Sequence, residues 1–378
     1  MFAGADLPKA PSWKTNVSPR FETALGAGKI VVLGDWTHTT SMRNDTEGTF
    51  LLLRPVTDII NASVTYKAPD SRFELSVGGT NITDKRYLVT GQDGQVVRSL
   101  VERATRYQDI EVLPLGRPAL DLSQLDTIES AILGAKPHVI VSAAAYTAVD
   151  QAETDEAAAF AINAAAVGEI GRVARSLRIP VVHLSTDYVF DGEKSSAYVE
   201  TDPVNPLGVY GRSKLDGELL LEASGADHAI LRTAWVYSPY GKNFLRTMLR
   251  VAETRDNLNV VADQIGNPTS ALDIADAVFK VGENLLASDD TRLRGVFHMT
   301  GSGDASWADF ASEIFAASNK MGGPSANVQP ITTAEYPTPA KRPQNSRLNC
   351  SKLASEHGVS MPDWQSSTLE VVRRLLSA

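Results

Sequence analysis

The alternation of apolar and polar side chains changes character near residue 85. In residues 60–66 apolar side chains alternate with polar ones, and residues 73–77 repeat this alternation after a turn at 68–71. A period of two is typical of a half-buried β-strand. The pattern therefore predicts an amphipathic β-hairpin, with a third strand over 29–39.

From residue 86 onward short apolar runs alternate with segments of helical periodicity. Continuous apolar strands are expected in a parallel sheet that is covered on both faces. We predict a doubly wound α/β domain, Rossmann-like, over 86–240, a smaller mixed α/β substrate-binding cap over 241–378 that is interleaved with it, and a β-hairpin-rich extension over 1–85. The predicted strands are 86–90, 110–115, 139–142, 181–185 and 228–233; the predicted helices are 124–133, 155–177, 210–223, 244–253, 273–286 and 307–317.

Composition excludes several classes of protein. The 378 residues carry 36 Lys and Arg against 45 Asp and Glu, a net charge of −9 that argues against a nucleic-acid binder. We find no apolar run of the roughly 18 residues that a membrane-spanning helix needs. The single cysteine, Cys350, excludes an intramolecular disulfide framework, and the first residues lack the pattern of a signal peptide. We therefore expect a cytoplasmic protein.

A glycine turn follows the first strand of the α/β part. Gly91 and Gly94 lie between the strand and a predicted helix, where a dinucleotide pyrophosphate is commonly bound by helix N-terminal N–H groups. The usual third glycine is Val97 here, so an ordinary strand-to-helix turn remains an alternative. Arg117 follows the second strand, where it either meets a 2′-phosphate or is a solvated loop arginine.

Tyr210 and Lys214 are the strongest local chemical signal. Their spacing of four places them on one face of a helix, and an adjacent ammonium is expected to lower the pKa of a phenol. Thr186 ends the strand before this helix, at the sheet edge where open α/β sheets bind ligands. We predict that Thr186 contacts a substrate carbonyl, with a simple strand-end turn as the alternative.

Residues 86–378 resemble the dTDP-4-dehydrorhamnose reductase family, which belongs to the extended short-chain dehydrogenases/reductases. Six segments in family order carry this resemblance: SAAAYTAVDQAE (142–153), HLSTDYVFDG (183–192), PLGVYGRSKLDGE (206–218), LRTAWVYSPYGKNF (231–244), DQIGNPTS (263–270) and YPTPAKRPQNSRL (336–348). The resemblance implies that NADPH or NADH reduces the C4 ketone of the nucleotide sugar dTDP-4-dehydro-L-rhamnose. The sequence leaves open which cofactor is preferred and whether the 6-deoxy-talose epimer is made instead.

The resemblance also implies a role for individual residues. Tyr210 would donate the proton, Lys214 would lower its pKa and hold the nicotinamide ribose, and Thr186 would bind the ketone oxygen. Asp187 and Trp235 would line the sugar pocket, although Trp235 is also compatible with a core position. The predicted cofactor contacts, including the glycine turn, are Gly91, Gly94, Gln95, Val96, Asp121, Leu122, Ala145, Tyr146, Thr147, Tyr210 and Lys214. Some family members hold magnesium through glutamates at a dimer interface; Ser99 stands at the first such position, so we predict no obligatory metal, and a homodimer remains open.

Residues 1–85 resemble the C-terminal end of a TonB-dependent outer-membrane receptor. LPKAPSW at 7–13 and IINASVTYKAPDSRFELSVGGTNITDKRY at 59–87 carry this second resemblance. A membrane barrel needs at least about 8 strands to close, so three or four cannot transport anything. We interpret the segment as a remnant of a gene fusion or of a mis-assigned start, or else as a packed accessory hairpin.

Two other functions compete with the reductase. A non-catalytic nucleotide-binding regulator of the same fold is disfavoured by the intact Tyr210 and Lys214 pair. An outer-membrane component is suggested by the first 85 residues alone.

Overall fold

The computed structural model describes residues 13–40, 42–43, 53–54, 57–69, 72–79, 84–107 and 109–377. The chain divides into two compact units. One comprises residues 1–86 and 104–111, and the other comprises residues 87–103 and 112–378.

The N-terminal unit contains an antiparallel sheet. The strands of this unit are β1 (Lys14–Val17), β2 (Arg20–Leu25), β3 (Gly28–Thr39), β4 (Met42–Arg43), β5 (Leu53–Arg54), β6 (Thr57–Lys67) and β7 (Glu74–Gly79). The sheet has the order β1-β3-β6-β7, with β2 also paired to β3, while β4 and β5 pair separately.

The predicted hairpin and third strand are confirmed. Val64 pairs with Val77 and Tyr66 with Leu75 between β6 and β7, so the alternating apolar residues share one face of the sheet. This face is exposed, with Leu75 63% and Val77 72% accessible. The middle of the predicted turn, residues 70 and 71, and residues 7–12 of the first receptor-like motif lie outside the described residues.

A six-stranded sheet organises the second part of the chain, in the order β17-β12-β11-β10-β8-β9. Strands β8, β10, β11, β12 and β17 run parallel. The strands after the N-terminal unit are β8 (Lys85–Thr90), β9 (Ile110–Leu115), β10 (Val139–Ser142), β11 (Val181–Thr186), β12 (His228–Thr233), β13 (Val236–Tyr237), β14 (Asn257–Val261), β15 (Ile265–Gly266), β16 (Thr269–Ser270), β17 (Gly295–His298), β18 (Ala305–Ser306) and β19 (Asn327–Ile331).

Helices cover both faces of this sheet. Leu88 of β8 packs in a core with Ile128 and Ile170, whereas its neighbour Tyr87 lies edge-on against Phe279 on the opposite face. This arrangement confirms the predicted doubly wound α/β fold. The helices are α1 (Gln95–Ala104), α2 (Leu125–Ala135), α3 (Val149–Ala152), α4 (Glu156–Phe160), α5 (Ala166–Leu177), α6 (Val209–Ala223), α7 (Phe244–Ala252), α8 (Ala271–Ala287), α9 (Trp307–Asn319), α10 (Ser351–His357) and α11 (Trp364–Leu376).

Several features of this fold were not predicted, among them the helices α10 and α11. The sixth strand of the main sheet, β17, comes from residues 295–298 and was not predicted. The helix predicted over 155–177 is divided by one π-helical turn over Ala161–Ala165. A π-turn shifts the helical phase by one residue and often marks a functional position.

A smaller lobe has its own core. Tyr237, Leu245, Phe310 and Val371 are buried there together, from the segment after β12 and from α7, α9 and α11. Since β17 and α8 return to the main sheet, the later chain serves both cores. The division at residue 240 stays a prediction.

One helical stretch, Glu156–Leu177, is long and apolar enough by composition to cross a membrane, but half of its apolar window is buried within the protein. Its residues Val167, Ile170 and Val173 belong to the core beside the sheet, so its apolar face already has a partner there.

Candidate active site

Polar residues end several strands at the carboxyl edge of the parallel sheet. Thr186 is the last residue of β11 and pairs in register with Thr233 of β12. The Thr186 hydroxyl donates to Asp187 Oδ1 at 3.0 Å and accepts from the Tyr188 N–H at 3.2 Å. These bonds orient the Thr186 hydroxyl at the ligand-binding edge of the sheet.

Tyr210 lies in the first turn of α6, next to this strand end. Burial raises the pKa of Tyr210 to about 12, while a hydrogen bond with Thr186 opposes the increase and the charge of Asp187 adds to it. The expectation that Lys214 lowers this pKa therefore differs from the structure. The Lys214 ammonium instead contacts two residues of β11, His183 and Leu184.

Lys214 is held by two acceptors from β11. Its Nζ donates to the Leu184 carbonyl at 2.7 Å and lies 3.3 Å from Nε2 of His183. Because an ammonium can only donate, Nε2 accepts, and Nδ1 carries the hydrogen toward Ser142 Oγ at 3.0 Å. Burial lowers the pKa of Lys214 to about 8, opposed by the charge of Glu218.

A buried ion pair supports the floor of this site. Glu218 lies one helical turn beyond Lys214 and binds Arg232 of β12 through Oε2 at 2.6 Å, with both side chains about 5% exposed. The Ser185 hydroxyl donates to the same carboxylate at 2.5 Å. These contacts attach α6 to two strands of the sheet.

Asp187 is a buried carboxyl beside the Thr186 hydroxyl. Burial raises the pKa of Asp187 to about 6, and the hydroxyls of Ser346 and Thr186 oppose the increase. Ser346 and Arg342 come from the proline-rich segment 336–348, and Arg342 pairs with Asp150 at 2.9 Å. The last part of the chain therefore reaches the predicted sugar pocket.

The glycine turn lines a cavity of about 520 Å³. Gly91 has φ of +101°, and a Cβ there would lie 3.4 Å from Ala144 and from Val97, so the turn packs closely over β10 and α1. The cavity is also lined by Arg117, Asp121, Leu122 and Ala145, which the sequence assigned to the cofactor or to its 2′-phosphate. Its position after the first two strands, its size and its glycine edge fit the adenosine half of a dinucleotide.

Gly94, Gln95 and Val96 are predicted cofactor residues that do not line this cavity. Gly94 is exposed and immediately precedes α1, which begins with Gln95 and Val96. The Gln95 side chain accepts from Ser238 Oγ at 3.0 Å and from Asn243 Nδ2 at 2.9 Å, so it ties α1 to the smaller lobe.

Tyr146 and Thr147 follow β10 in a loop that is secured by Asn163. The Asn163 side chain accepts from the Tyr146 N–H at 2.8 Å and donates to its carbonyl at 3.1 Å and to Ser213 at 3.0 Å. Asn163 lies in the π-helical turn, and Thr147 is exposed at the loop. The turn therefore positions the loop that the sequence assigned to the middle of the cofactor.

Trp235 has a backbone conformation that side chains rarely adopt, with φ of +47°. A left-handed conformation costs an ordinary residue about 1–2 kcal/mol, so neighbouring contacts must maintain it. The ring is partly buried and stacks on Trp307 with a centroid separation of 3.6 Å.

Ser99 lies inside α1, fully buried, and its hydroxyl donates to the Gln95 carbonyl. Within the described ranges, no group of three or more His, Cys, Asp or Glu side chains is placed to hold a metal. The absence of an obligatory metal stays a prediction.

Sequence reasoning missed several residues that shape the site: Ser142, Asn163, His183, Glu218, Arg232, Trp307 and Arg342. Two carried a usable signal, since Asn163 is a lone polar residue in an alanine-rich stretch and Glu218 repeats the spacing of four after Lys214. The others are recognisable only through contacts across the fold.

A parallel doubly wound sheet with a glycine-lined dinucleotide cavity and a Thr, Tyr and Lys site defines a Rossmann-like NAD(P)-dependent oxidoreductase. A family model described as RmlD substrate binding domain matches residues 85–377, and the chain belongs to this family. It is 50% identical over 291 residues to the dTDP-4-dehydrorhamnose reductase of Sinorhizobium fredii, covering 77% of this chain and 98% of the relative. It is 37% identical over 294 residues to a probable dTDP-4,6-dihydroxy-2-methyloxan-3-one 4-ketoreductase of Streptomyces antibioticus, covering 78% of this chain and 96% of the relative.

Solved structures agree with this assignment. A dTDP-4-dehydrorhamnose reductase from Clostridium acetobutylicum superposes with a TM-score of 0.71 at 37% identity, covering 77% of this chain and 99% of that one. A dTDP-4-dehydrorhamnose reductase from Bacillus anthracis in complex with NADP gives a TM-score of 0.72 at 31% identity, with the same coverage.

Proposed function

We propose that this protein reduces the C4 ketone of dTDP-4-dehydro-L-rhamnose to give dTDP-L-rhamnose, using NADPH or NADH. The observation that carries the proposal is the hydrogen bond between Thr186 and Tyr210 at the carboxyl edge of the sheet, with Lys214 one turn further along α6. The dinucleotide cavity opens on the same edge. The family relationship supplies the substrate class.

The protein's residues account for the proton side of the reaction. Thr186 would donate a hydrogen bond to the ketone oxygen and polarise the carbonyl. Tyr210 is protonated at neutral pH because burial holds its pKa at about 12, so it can deliver a proton to the oxygen as the alkoxide forms. When bound, the dinucleotide would supply the hydride that C4 receives. Lys214 would hold the nicotinamide ribose, and Asp187 and Trp235 would contact the sugar.

Turnover of the purified chain tests this function. NADPH oxidation should require the 4-keto nucleotide sugar, and Tyr210→Phe should lower kcat about 10²- to 10⁴-fold while substrate binding persists. Tyr66→Phe removes a phenol hydroxyl from the N-terminal unit and serves as the matched control. Normal turnover by Tyr210→Phe would refute the proton-donor role. Cofactor binding without turnover of any 4-keto sugar would favour the non-catalytic regulator.

We propose that Arg117 favours NADPH over NADH. It lines the dinucleotide cavity close enough to Asp121 to contribute to the lowered pKa of that carboxyl, after the larger effect of Ser123. A guanidinium at this position suits a ribose 2′-phosphate. Arg117→Ala should raise the KM for NADPH about tenfold and leave the KM for NADH unchanged. Equal changes for both cofactors would contradict the assignment.

The identity of the sugar product needs a direct measurement. The Streptomyces relative is named for the 4-ketoreduction of a different dTDP sugar, so the product should be identified by NMR as rhamnose or its 6-deoxy-talose epimer. We also propose a cytoplasmic location, a homodimer as the form to test by light scattering, and no nucleic-acid or membrane partner.

The receptor-like identity of residues 1–85 remains a proposal based on their motifs. The family match begins at residue 85, and the residues assigned to the reaction all lie beyond that point. Limited proteolysis should cleave within the first 85 residues and leave turnover intact. Cleavage elsewhere while these residues survive would instead favour a packed accessory unit.

A further inference from the structure

The strained backbone of Trp235 is surrounded by contacts that fix its indole ring. Trp307 stacks on it with planes 9° apart and centroids 3.6 Å apart. The Trp235 carbonyl accepts from the Thr269 N–H at 3.2 Å, which secures the turn out of β12. A rare backbone conformation that several contacts maintain at a ligand site commonly holds a side chain ready for binding.

Trp307 is itself anchored at three points. It is the first residue of α9, where Ser306 and Asp309 form a reciprocal N-terminal cap. Its indole N–H donates to Gln264 Oε1 at 3.2 Å, and Phe244 packs against its ring with centroids 4.7 Å apart. A residue held this firmly can define the plane of a neighbouring ring.

Gly266 provides the space that the Trp235 ring occupies. A Cβ at Gly266 would lie 2.6 Å from Cε2 and 2.8 Å from Nε1 of Trp235, closer than such atoms approach one another. Gly266 of β15 pairs with Ala305 of β18, two residues before Trp307. The antiparallel pairing of β15 with β18 therefore brings both Gly266 and Trp307 against the ring of Trp235.

We infer that Trp307 and Gly266 are positioning residues that hold Trp235 in the orientation required for binding the sugar of the nucleotide-sugar substrate. This inference rests on the proposed function, in which Trp235 lines the sugar pocket. Neither residue needs to touch the substrate, because each acts through the position of the Trp235 ring. The cofactor cavity lies on the other lobe, so cofactor binding should be independent of both.

The test compares Trp307→Leu, Trp307→Phe and Gly266→Ala. Trp307→Leu keeps apolar volume without a stacking ring, and Gly266→Ala displaces the Trp235 ring directly. Trp307→Leu and Gly266→Ala should each raise the KM for the nucleotide sugar about tenfold or more, with kcat changed less than about threefold and the KM for NADPH unchanged. Trp307→Phe retains an aromatic ring that can stack on Trp235, so its sugar KM should stay within about threefold of the native value.

A spectroscopic measurement follows the stack without substrate. Two stacked indoles give an exciton couplet in far-ultraviolet circular dichroism, which both Trp307 variants should lose. Trp364→Phe is the matched control, because Trp364 is buried in the same lobe, its indole N–H has no partner among the described residues, and it stacks on neither ring of the pair. This control should keep both the couplet and the sugar KM.

The outcomes separate this inference from the proposed function. If the native protein turns over the sugar while Trp307→Leu loses the couplet and keeps a native sugar KM, the inference is overturned alone. Equal increases in the KM for sugar and for NADPH would also overturn it, because they indicate general damage. If the native protein shows the couplet but neither binds nor reduces the nucleotide sugar, the proposed function is wrong and the inference falls with it.

Discussion

Two glycines in helices offer a sharp test of the packing that supports the cofactor loop. Gly217 lies in α6 where a Cβ would be only 2.0 Å from the Asn163 carbonyl oxygen and 3.2 Å from its carbon. Gly134 lies in α2, where a Cβ would meet nothing within 4 Å. The same substitution by alanine therefore removes the same backbone freedom in two very different surroundings.

The two substitutions should change the free energy of unfolding in opposite directions. Gly134→Ala should raise the free energy of unfolding by about 0.5–1 kcal/mol, because alanine is the better helix former. Gly217→Ala has the same advantage, but ordinary contact begins near 3.4 Å, so the two backbones must separate by 3.4 − 2.0, or about 1.4 Å. Overpacking of this kind costs about 1–3 kcal/mol, which after the helix advantage leaves a net loss of up to about 2.5 kcal/mol.

Urea unfolding measures the difference. Trp235, Trp307 and Trp364 all lie in the unit that contains both glycines, so their fluorescence reports its unfolding. With a slope of about 2–3 kcal/mol per molar urea, the midpoints of the two variants should differ by about 1 M. Gly217→Ala should also raise the KM for NADPH, since Asn163 holds the loop at Tyr146. Equal midpoints for the two variants would refute this account of the close helix contact.

Two further predictions concern buried charge. Glu218→Ala should lower the free energy of unfolding by about 3–5 kcal/mol, because it leaves Arg232 charged and buried, whereas removal of the exposed Arg172 should change stability little. Stability equal to that of the native protein would contradict the first value. Asp187 has a folded pKa of about 6 against an ordinary 3.8, so the folded state binds more protons between these values, and stability from this group falls by about 2 kcal/mol as pH rises from 4 to 6. Asp187→Asn should remove this fall, so urea unfolding at each pH should show the stability of the variant rising relative to that of the native protein as pH rises. The two proteins must be compared because the buried His298 and His357, whose pKa values are lowered, titrate in the same acidic range. Parallel stability curves would show that Asp187 is already ionised at pH 4.

Much of the fold could be predicted from the chain because local patterns determine local structure. Helix α6 was predicted to within one residue and β12 at its observed bounds, since apolar runs and helical spacing are local properties. The spacing of Tyr210 and Lys214 and the strand end at Thr186 were also readable for this reason. The family motifs then supplied the substrate class, which no periodicity contains.

Tertiary structure alone decided how the site is held and tuned. Lys214 was expected to lower the pKa of Tyr210, but β11 places His183 and the Leu184 carbonyl within reach of its ammonium, and burial determines the pKa of the phenol. Asn163 and Trp307 are far in sequence from the residues that they position. Their partners are brought together by sheet order and lobe packing, which depend on contacts across the whole chain, whereas the pattern of side chains along a strand or helix is encoded within a few neighbouring residues.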